Sequence, residues 1–176
     1  DIIMIGEIRD SETAEIAVRA AITGHLVLST MHTNDSASTV SRMVDMGIEP
    51  YLVSSSVVGV VAQRLVKKIC ENCKTEYRPT HSEMDLLNLR DDDVLYRGVG
   101  CSVCGNTGYK GRTSIHEIMP MTREIRELVD HRASIDELRT MAGKYGTITL
   151  KDSCSRLVKK GITTSEEMLK VTYSLE

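Results

Sequence analysis

Two pairs of cysteines have the spacing of a metal site. Cys70 and Cys73 form one Cys-x-x-Cys pair, Cys101 and Cys104 form the other, and 27 residues separate the two pairs. Four thiolates in two such pairs are the ligand set of tetrahedral zinc, and a site closed by four cysteines leaves no position for a reactive water. Disulfides and a redox Cys-x-x-Cys are the alternatives, but two pairs in a chain without a signal peptide favour zinc. We therefore predict a structural zinc site, and we predict that Cys154, which stands apart, is a buried free thiol.

A carboxylate follows the first apolar segment of the chain. Glu7 comes directly after Ile2–Ile5, which has the pattern of a strand buried on both faces. A second strand is predicted at Leu26–Ser29 and leads into Thr30 and His32. Open α/β sheets bind ligands at the carboxyl ends of their strands, where a carboxylate can orient an attacking water. Glu7 is therefore a candidate catalytic residue, with a solvated acid at a strand end as the alternative.

Two histidines flank the second strand. Because a strand rises about 3.3 Å per residue, His25 and His32 are expected roughly 20 Å apart at opposite ends of the sheet, too far to share a metal. His32 then lies with Thr30 and Glu7 and is the candidate site histidine. His25 is expected to cap or pack, and a structural role remains the alternative for His32 as well.

Strands and helices alternate in the first part of the chain. A first helix is capped by Asp10 or Ser11, the strand 26–29 follows, and a second helix, 36–46, is capped at residues 34–35. Strand, helix and strand form a right-handed unit, so the two strands are expected to be parallel.

The rest of the chain changes in character twice. The second half of 57–69 is predicted to be a strand, 112–119 is predicted to be another that Pro120 ends, and the remainder is predicted to be helical. Fold class is therefore predicted as α/β, a partial parallel sheet with helices, a small tetracysteine element and a helical C-terminal part. The predicted segments are 1–69, 70–111 and 112–176.

Composition excludes several classes of protein. The 176 residues are 41% hydrophobic and 27% charged, as in globular proteins, and no apolar run reaches the roughly 20 residues that cross a bilayer. The net charge is -3 and aromatic residues are six Tyr with no Phe or Trp, so nucleic acid is not an expected partner. A buried strand that begins at Asp1, without a lead-in, predicts a fragment of a longer protein.

Taken together, the motifs resemble a known family. Residues 1–10 (DIIMIGEIRD), 23–35 (TGHLVLSTMHTND) and 62–65 (AQRL), with the four cysteines, are similar to the C-terminal ATPase domain of type II secretion and type IV pilus assembly ATPases. The resemblance covers residues 1–130 strongly and the helical remainder more loosely. It implies a RecA-like core with an attached zinc element.

The resemblance assigns roles to single residues. Residues 2–7 would be the Walker B strand, with Glu7 as the catalytic glutamate, and 23–35 would be the histidine box. The resemblance implicates both His25 and His32, and the position at the sheet edge favours His32 as the γ-phosphate sensor. The further nucleotide-binding candidates are Thr30, His25 and Arg64. Considered without the resemblance, the basic group of Arg64, Lys67 and Lys68 is more typical of a solvated strand face than of a phosphate site.

One motif of the family is missing from the sequence. No Gly-x-x-x-x-Gly-Lys-Ser/Thr occurs in the 176 residues, although ATP and magnesium binding in the family require this phosphate loop. Gly6 also stands where a general Walker B strand has its metal-binding Asp. The chain alone is therefore expected to be inactive.

The resemblance also implies a cellular role. The full-length protein would be a cytoplasmic homohexamer at the inner membrane, driving pilus assembly or type II secretion through an inner-membrane platform protein. Retraction ATPases generally lack the four cysteines, which favours an assembly or export motor. A zinc-bearing docking or regulatory module without enzymatic activity is the alternative.

Overall fold

The structure is a computed structural model that describes residues 1–173. The strands are β1 Ile2–Ile5, β2 Leu26–Ser29, β3 Gly59–Ile69, β4 Lys74–Tyr77, β5 Leu95–Gly98 and β6 Tyr109–Pro120. The helices are α1 Ser11–Ile22, α2 Ser36–Asp45, α3 Pro50–Ser56, α4 His81–Leu87, α5 Arg123–Asp130, α6 Ile135–Lys144, α7 Leu150–Lys159 and α8 Ser165–Tyr173. A short 3-10 turn covers Ser102–Cys104.

The described residues form two compact units, and each unit joins two separate stretches of chain. Unit 1 comprises residues 1–62 and 117–148, and unit 2 comprises 63–116 together with the chain from residue 149 onward. Strands β3 and β6 pair with each other, and the chain passes from one unit to the other within each of them. The three predicted segments follow motif content rather than these boundaries, and they stay a prediction of domain organisation.

Unit 1 contains the expected parallel strand pair. Strand β1 pairs with β2 in parallel register, Ile2 opposite Leu26 and Ile5 opposite Ser29. Helix α1 connects them, and its cap is Asp10, which accepts a hydrogen bond from the backbone N–H of Thr13 at 2.8 Å. The strand, helix and strand predicted from the sequence are confirmed.

The expectation that β1 is buried on both faces is wrong for the described residues. Ile2 is 70% exposed and Met4 is 77% exposed, whereas Ile3 and Ile5 are half-buried. Successive side chains of a strand point to opposite faces, so the described residues cover one face of this strand and leave the other uncovered.

The core of unit 1 lies between its helices and the covered face of the sheet. It draws on both stretches of chain, because α3 packs against α5 and α2 packs against α6. Its fully buried members include Ala14, Val40, Val53, Met119, Ile125 and Leu138.

Unit 2 contains elements that the sequence did not predict. Strands β4 and β5 form an antiparallel pair, and α4 lies between them in sequence. Two strand boundaries also differ from the prediction. Strand β3 covers Gly59–Ile69 rather than only the second half of 57–69. Strand β6 begins at Tyr109 rather than at residue 112, and Pro120 is its last residue. The predicted helical remainder after Pro120 is confirmed by α5 to α8.

Candidate functional site

The carboxyl ends of β1 and β2 are joined to each other. The Thr30 hydroxyl donates a hydrogen bond to the Gly6 carbonyl oxygen at 2.7 Å, and the Ile8 backbone N–H donates to the Thr30 carbonyl at 2.9 Å. The backbone bond from Ile8 extends the parallel ladder beyond the last strand residues, and the Thr30 hydroxyl adds a side-chain bond between the two strand ends. Glu7 and Thr30 therefore lie at the same sheet edge, as the parallel arrangement predicts.

Glu7 has two different oxygen environments at this edge. Its Oε2 forms an ion pair with the Arg9 guanidinium, and its Oε1 lies 3.0 Å from Nε2 of His32. Oε1 is shielded from solvent, yet the imidazole is not oriented to donate to it, and Oε1 accepts no hydrogen bond from the described residues. A shielded carboxylate oxygen with an unused acceptor position is where an additional donor, such as a water, would bind.

Arg9 stabilises the ionised form of the Glu7 carboxylate. The hydrogen bond and positive charge of Arg9, aided by the charge of a protonated His32, lower the pKa of Glu7 although partial desolvation opposes them. An ionised carboxylate is a pure acceptor. At neutral pH Glu7 is therefore able to orient a water through the water's own hydrogen.

The two histidines of the 23–35 motif lie in different places. His32 is exposed over 88% of its side chain and contacts Glu7. His25 lies before β2, where its Nδ1 is 3.2 Å from the Ala20 carbonyl oxygen and 3.3 Å from the Thr23 hydroxyl, at the end of α1. The structure thus brings His32 to Glu7 and gives His25 a capping position, and the catalytic and nucleotide-binding roles of both stay predictions.

Arg64 belongs to unit 2, whereas Glu7 belongs to unit 1. Its guanidinium Nη1 donates to the neighbouring Gln63 carbonyl oxygen at 3.0 Å, and the residue lines a shallow cavity with Lys67, Glu167 and Lys170. Its assignment as a nucleotide contact stays a prediction.

Two carboxylate contacts near the sheet edge have no local sequence signal. Asp35, the predicted cap of α2, binds Arg139, and Glu117 binds Ser36. The partners are separated by 104 and 81 residues, respectively. The sequence placed the cap at residues 34–35, but nothing in the spacing pointed to Arg139 or Glu117.

The buried cap of α2 predicts a pH-dependent stability. Burial by itself would raise the pKa of Asp35, but hydrogen bonds from Ser38 and Arg139 outweigh it and hold the pKa below its ordinary value. Since the unfolded pKa is about 3.9, the pairing stabilises the folded state fully above that pH, and this contribution is lost as the pH falls through the lower folded pKa. We expect Asp35→Asn to be less stable than the parent at pH 7, with a smaller difference at pH 3, in urea unfolding. A difference equal at both pH values would contradict this, and Asp45→Asn, an exposed position in the same helix, is the control.

The four cysteines come together in unit 2. Their Sγ atoms all lie within 4.8 Å of one another. The distances are 3.9 Å between Cys70 and Cys101, 3.9 Å between Cys73 and Cys104, and 3.7 Å between Cys101 and Cys104. A tetrahedron with zinc–sulfur bonds of about 2.3 Å has sulfur atoms about 3.8 Å apart. The donor set and its spacing therefore fit one zinc ion.

Donors surround the sulfur atoms of the second pair. The backbone N–H groups of Cys101 and Gly108 each donate to Cys104 Sγ at 3.3 Å, and Asn72 Nδ2 donates to Cys101 Sγ at 3.4 Å. Burial alone would raise the pKa of the Cys104 thiol, but the backbone donors outweigh it and lower the pKa to about 6. Stabilised thiolates are the form that binds a metal.

A close backbone crossing holds the cysteine turns in place. A Cβ atom at Gly98 would lie 2.0 Å from the carbonyl oxygen of Gly108, whose own φ is +75°. Cys70 lies beside this crossing, because its backbone N–H donates to the same Gly108 carbonyl at 2.9 Å. Only glycine satisfies both the approach and the left-handed backbone here.

Cys154 lies outside the cluster, as predicted. Its side chain is fully buried in α7, and burial raises the pKa of its thiol to about 11. A protonated, inaccessible thiol is inert packing material.

None of the helices in the described residues has the length and apolar character that crossing a membrane requires. The longest, α1, has 12 residues, against about 20 for a membrane-spanning helix.

Comparison with known proteins decides the family. Residues 1–170 match the family described as Type II/IV secretion system protein. The chain belongs to this family. The match includes the strand-edge motifs and the four cysteines, so the resemblance carried by those motifs is confirmed.

Curated members of the family are similar over nearly the whole chain. The type IV pilus assembly ATPase PilB of Thermus thermophilus is 46% identical over 173 residues, which are 96% of this chain and 20% of PilB. The type II secretion system protein HxcR of Pseudomonas aeruginosa is 48% identical over 172 residues, 98% of this chain and 34% of HxcR. The chain thus spans between a fifth and a third of the length of these relatives.

Solved structures share the fold. The pilus retraction motor PilT with bound ADP has a TM-score of 0.65 and 26% identity, covering 97% of this chain and 39% of PilT. The ATPase DotB of Legionella pneumophila has a TM-score of 0.62 and 20% identity, covering 98% of this chain and 38% of DotB. The predicted α/β class with a partial RecA-like sheet is confirmed for this member of the secretion family.

Proposed function

We propose that the full-length protein is a hexameric ATPase that powers type IV pilus assembly or type II secretion, and that this chain supplies Glu7 and His32 to its ATP site. One observation carries the proposal. A shielded oxygen of an ionised carboxylate, with an acceptor position unused, lies beside a histidine at the carboxyl edge of a parallel strand pair. Nucleotides bind at such edges in open α/β sheets.

The proposed chemistry uses the two side chains differently. Glu7 orients a water for attack on the γ-phosphate, and His32 donates from its imidazole to the phosphoryl group being transferred. Arg9 stabilises the ionised form of the carboxylate through its ion pair with Oε2. Phosphoryl transfer needs positioning and charge stabilisation more than covalent help from the protein, so these roles are sufficient for residues at this edge.

Magnesium is not accommodated by this edge alone. Gly6 occupies the position of a metal-binding aspartate, and the Glu7 carboxylate is engaged by Arg9 on one oxygen. Magnesium bound with ATP would neutralise phosphate charge, and its ligands would come from the phosphates and from other parts of the full-length protein.

The four cysteines are proposed to hold a structural zinc. A closed tetrathiolate site fits the observed sulfur spacing, and the metal would hold together a small segment with five glycines between residues 98 and 111. The tetracysteine element also favours an assembly or export motor over a retraction motor.

The proposed partners follow from the family. The names of PilB and HxcR support a place in a pilus assembly or secretion machine. A homohexamer acting at the cytoplasmic face of the inner membrane on a platform protein is the form that the resemblance implies, and no nucleic-acid partner is proposed for a chain of net charge -3.

The test compares the full-length protein with this chain by itself. We expect the full-length protein to hydrolyse ATP and the chain of residues 1–176 to show only background turnover, because its sequence has no phosphate loop. Release of inorganic phosphate measures both. If the purified chain hydrolysed ATP and Glu7→Gln abolished this turnover, the proposal that the ATP site needs residues outside 1–176 would be overturned.

A further inference from the structure

The segment that carries His32 is a short connection between β2 and α2. Residues 30–35, here called the His32 loop, follow the last residue of β2 and precede the first residue of α2. At its start the loop is fixed by Thr30, whose hydroxyl donates to the Gly6 carbonyl oxygen. His32 itself is 88% exposed and contacts Glu7, so packing around the imidazole does not hold it in place.

The end of the loop is fixed by Asp35. Its Oδ1 accepts the backbone N–H of Ser38 at 2.8 Å, which caps α2. Its other oxygen, Oδ2, accepts from Arg139 Nε at 2.8 Å and lies 2.6 Å from a terminal guanidinium nitrogen. The Asp35 side chain is only 8% exposed, so this pair is shielded from water on the carboxylate side.

A second buried carboxylate, that of Glu117, binds the next residue, Ser36. Glu117 Oε1 accepts the backbone N–H of Ser36 at 2.9 Å and also the Ser36 hydroxyl. Glu117 is 7% exposed and lies near the end of β6. The loop is thus held at its start by the strand edge and at its end by two residues from the stretch 117–148 of unit 1.

Helix capping alone does not explain the Arg139 contact. The cap of α2 is complete without it, because Asp35 Oδ1 and Ser38 form a reciprocal capping box. Arg139, in α6, binds Asp35 Oδ2, the carboxylate oxygen that the cap does not use. A charge-assisted contact to a buried carboxylate fixes position as well as contributing stability.

We propose that Arg139 is a positioning residue for His32. By holding Asp35, Arg139 fixes the end of the His32 loop in the position and orientation that place the imidazole beside Glu7. This inference rests on the proposed ATPase function. A misplacement of about 1 Å of a reacting group lowers the rate by as much as about 100-fold. A contact that fixes the exposed His32 loop is therefore expected to have a measurable effect on kcat.

The test is a double-mutant cycle in the full-length protein. Arg139→Met keeps the aliphatic stem and removes the guanidinium, and we expect it to lower kcat for ATP about tenfold with KM changed less than threefold. In a His32→Ala background the same substitution is expected to lower kcat less than twofold, because the imidazole it positions is gone. Asp136→Asn, which removes only the exposed second partner of Arg139, is the matched control and is expected to leave kcat unchanged.

A merely structural role gives a different pattern. If Arg139→Met lowers kcat equally with and without His32, or leaves kcat unchanged in the parent, the inference is overturned. Arg139→Lys, which keeps a cation but not the forked donors, is expected to restore part of the activity and serves in place of Arg139→Met if that variant is not folded at the assay temperature. An equal kcat for the Lys and Met variants, both folded by circular dichroism, would also count against positioning.

Failure of the proposed ATPase function is distinguishable from failure of the positioning role of Arg139. If neither Glu7→Gln nor His32→Ala alters ATP turnover, the ATPase assignment of these residues is wrong. If Glu7→Gln abolishes turnover but His32→Ala has no effect, the assignment of Glu7 stands and the role of Arg139 is refuted.

Discussion

Glu7→Gln in the full-length protein is expected to lower kcat for ATP hydrolysis by about 100- to 10,000-fold, the range that a positioned general base or water-orienting carboxylate contributes. The amide keeps the size of the side chain but replaces one acceptor oxygen with a donor and removes the charge. Nucleotide binding is expected to persist, because the groups that hold the phosphates lie elsewhere. Phosphate release and binding of a fluorescent nucleotide, measured on the same preparation, separate the two effects.

The control for this substitution is another Glu to Gln change. Glu15 lies in α1 with its side chain 54% exposed and paired with Arg19, and an exposed pair of this kind contributes little. Glu15→Gln is therefore expected to retain the parental kcat. A Glu7→Gln protein with kcat within threefold of the parent would refute the catalytic role of Glu7.

Protein purified without added metal is expected to contain about one zinc per chain, and Cys101→Ser is expected to lose both the zinc and the order of the cysteine element. Apparent binding free energies of structural zinc are about 10–16 kcal/mol in small zinc domains at pH 7, so the metal is a large part of the stability of such an element. Metal analysis and proteolysis of the cysteine element measure the two consequences.

Cys154→Ala is the matched control for the zinc prediction. It also removes a cysteine, but a buried one outside the cluster, so this variant is expected to keep its zinc. Absence of zinc from the parent, or full zinc in Cys101→Ser, would contradict a tetrathiolate site. If the cysteine variants lost the cellular function while Glu7→Ala kept it, the docking or regulatory module would replace the ATPase as the better account.

The strand edge and the cysteine cluster were predictable because their signals are local. An apolar run followed by Glu7, and a second run followed by Thr30, locate two strand ends. A helix between the two strands predicts parallel pairing, which places both carboxyl ends at one edge. The Cys-x-x-Cys spacing likewise fixes the geometry of each turn before any fold is known. Both predictions depend on a few neighbouring residues and on chain topology that has few alternatives.

The contacts that hold the His32 loop were not predictable, because they join residues far apart in sequence. Arg139 meets Asp35 across 104 residues, and Glu117 meets Ser36 across 81. In sequence, Arg139 is a surface arginine on an amphipathic helix and Glu117 is a polar position in a strand. Only the packing of α6 against α2 brings Arg139 into contact with Asp35.

The exposure of β1 shows a different limit. A continuous apolar run predicts a strand buried on both faces, yet Ile2 and Met4 are exposed in the described residues. An apolar pattern in a strand reflects how that strand is buried in the full-length protein. This chain spans between a fifth and a third of the length of PilB and HxcR, so its own residues need not supply both layers.

The central claim is that Glu7 belongs to an ATP site whose phosphate loop lies in another part of the same protein. The most direct measurement is the sequence of the gene for about 100 codons before the codon of Asp1, the length of a domain of ordinary size. We expect a Gly-x-x-x-x-Gly-Lys-Ser/Thr segment there, between a strand and a helix, whose Lys is required for ATP turnover. A preceding sequence without such a segment would contradict the account and leave the four cysteines as the part of the chain that carries its function.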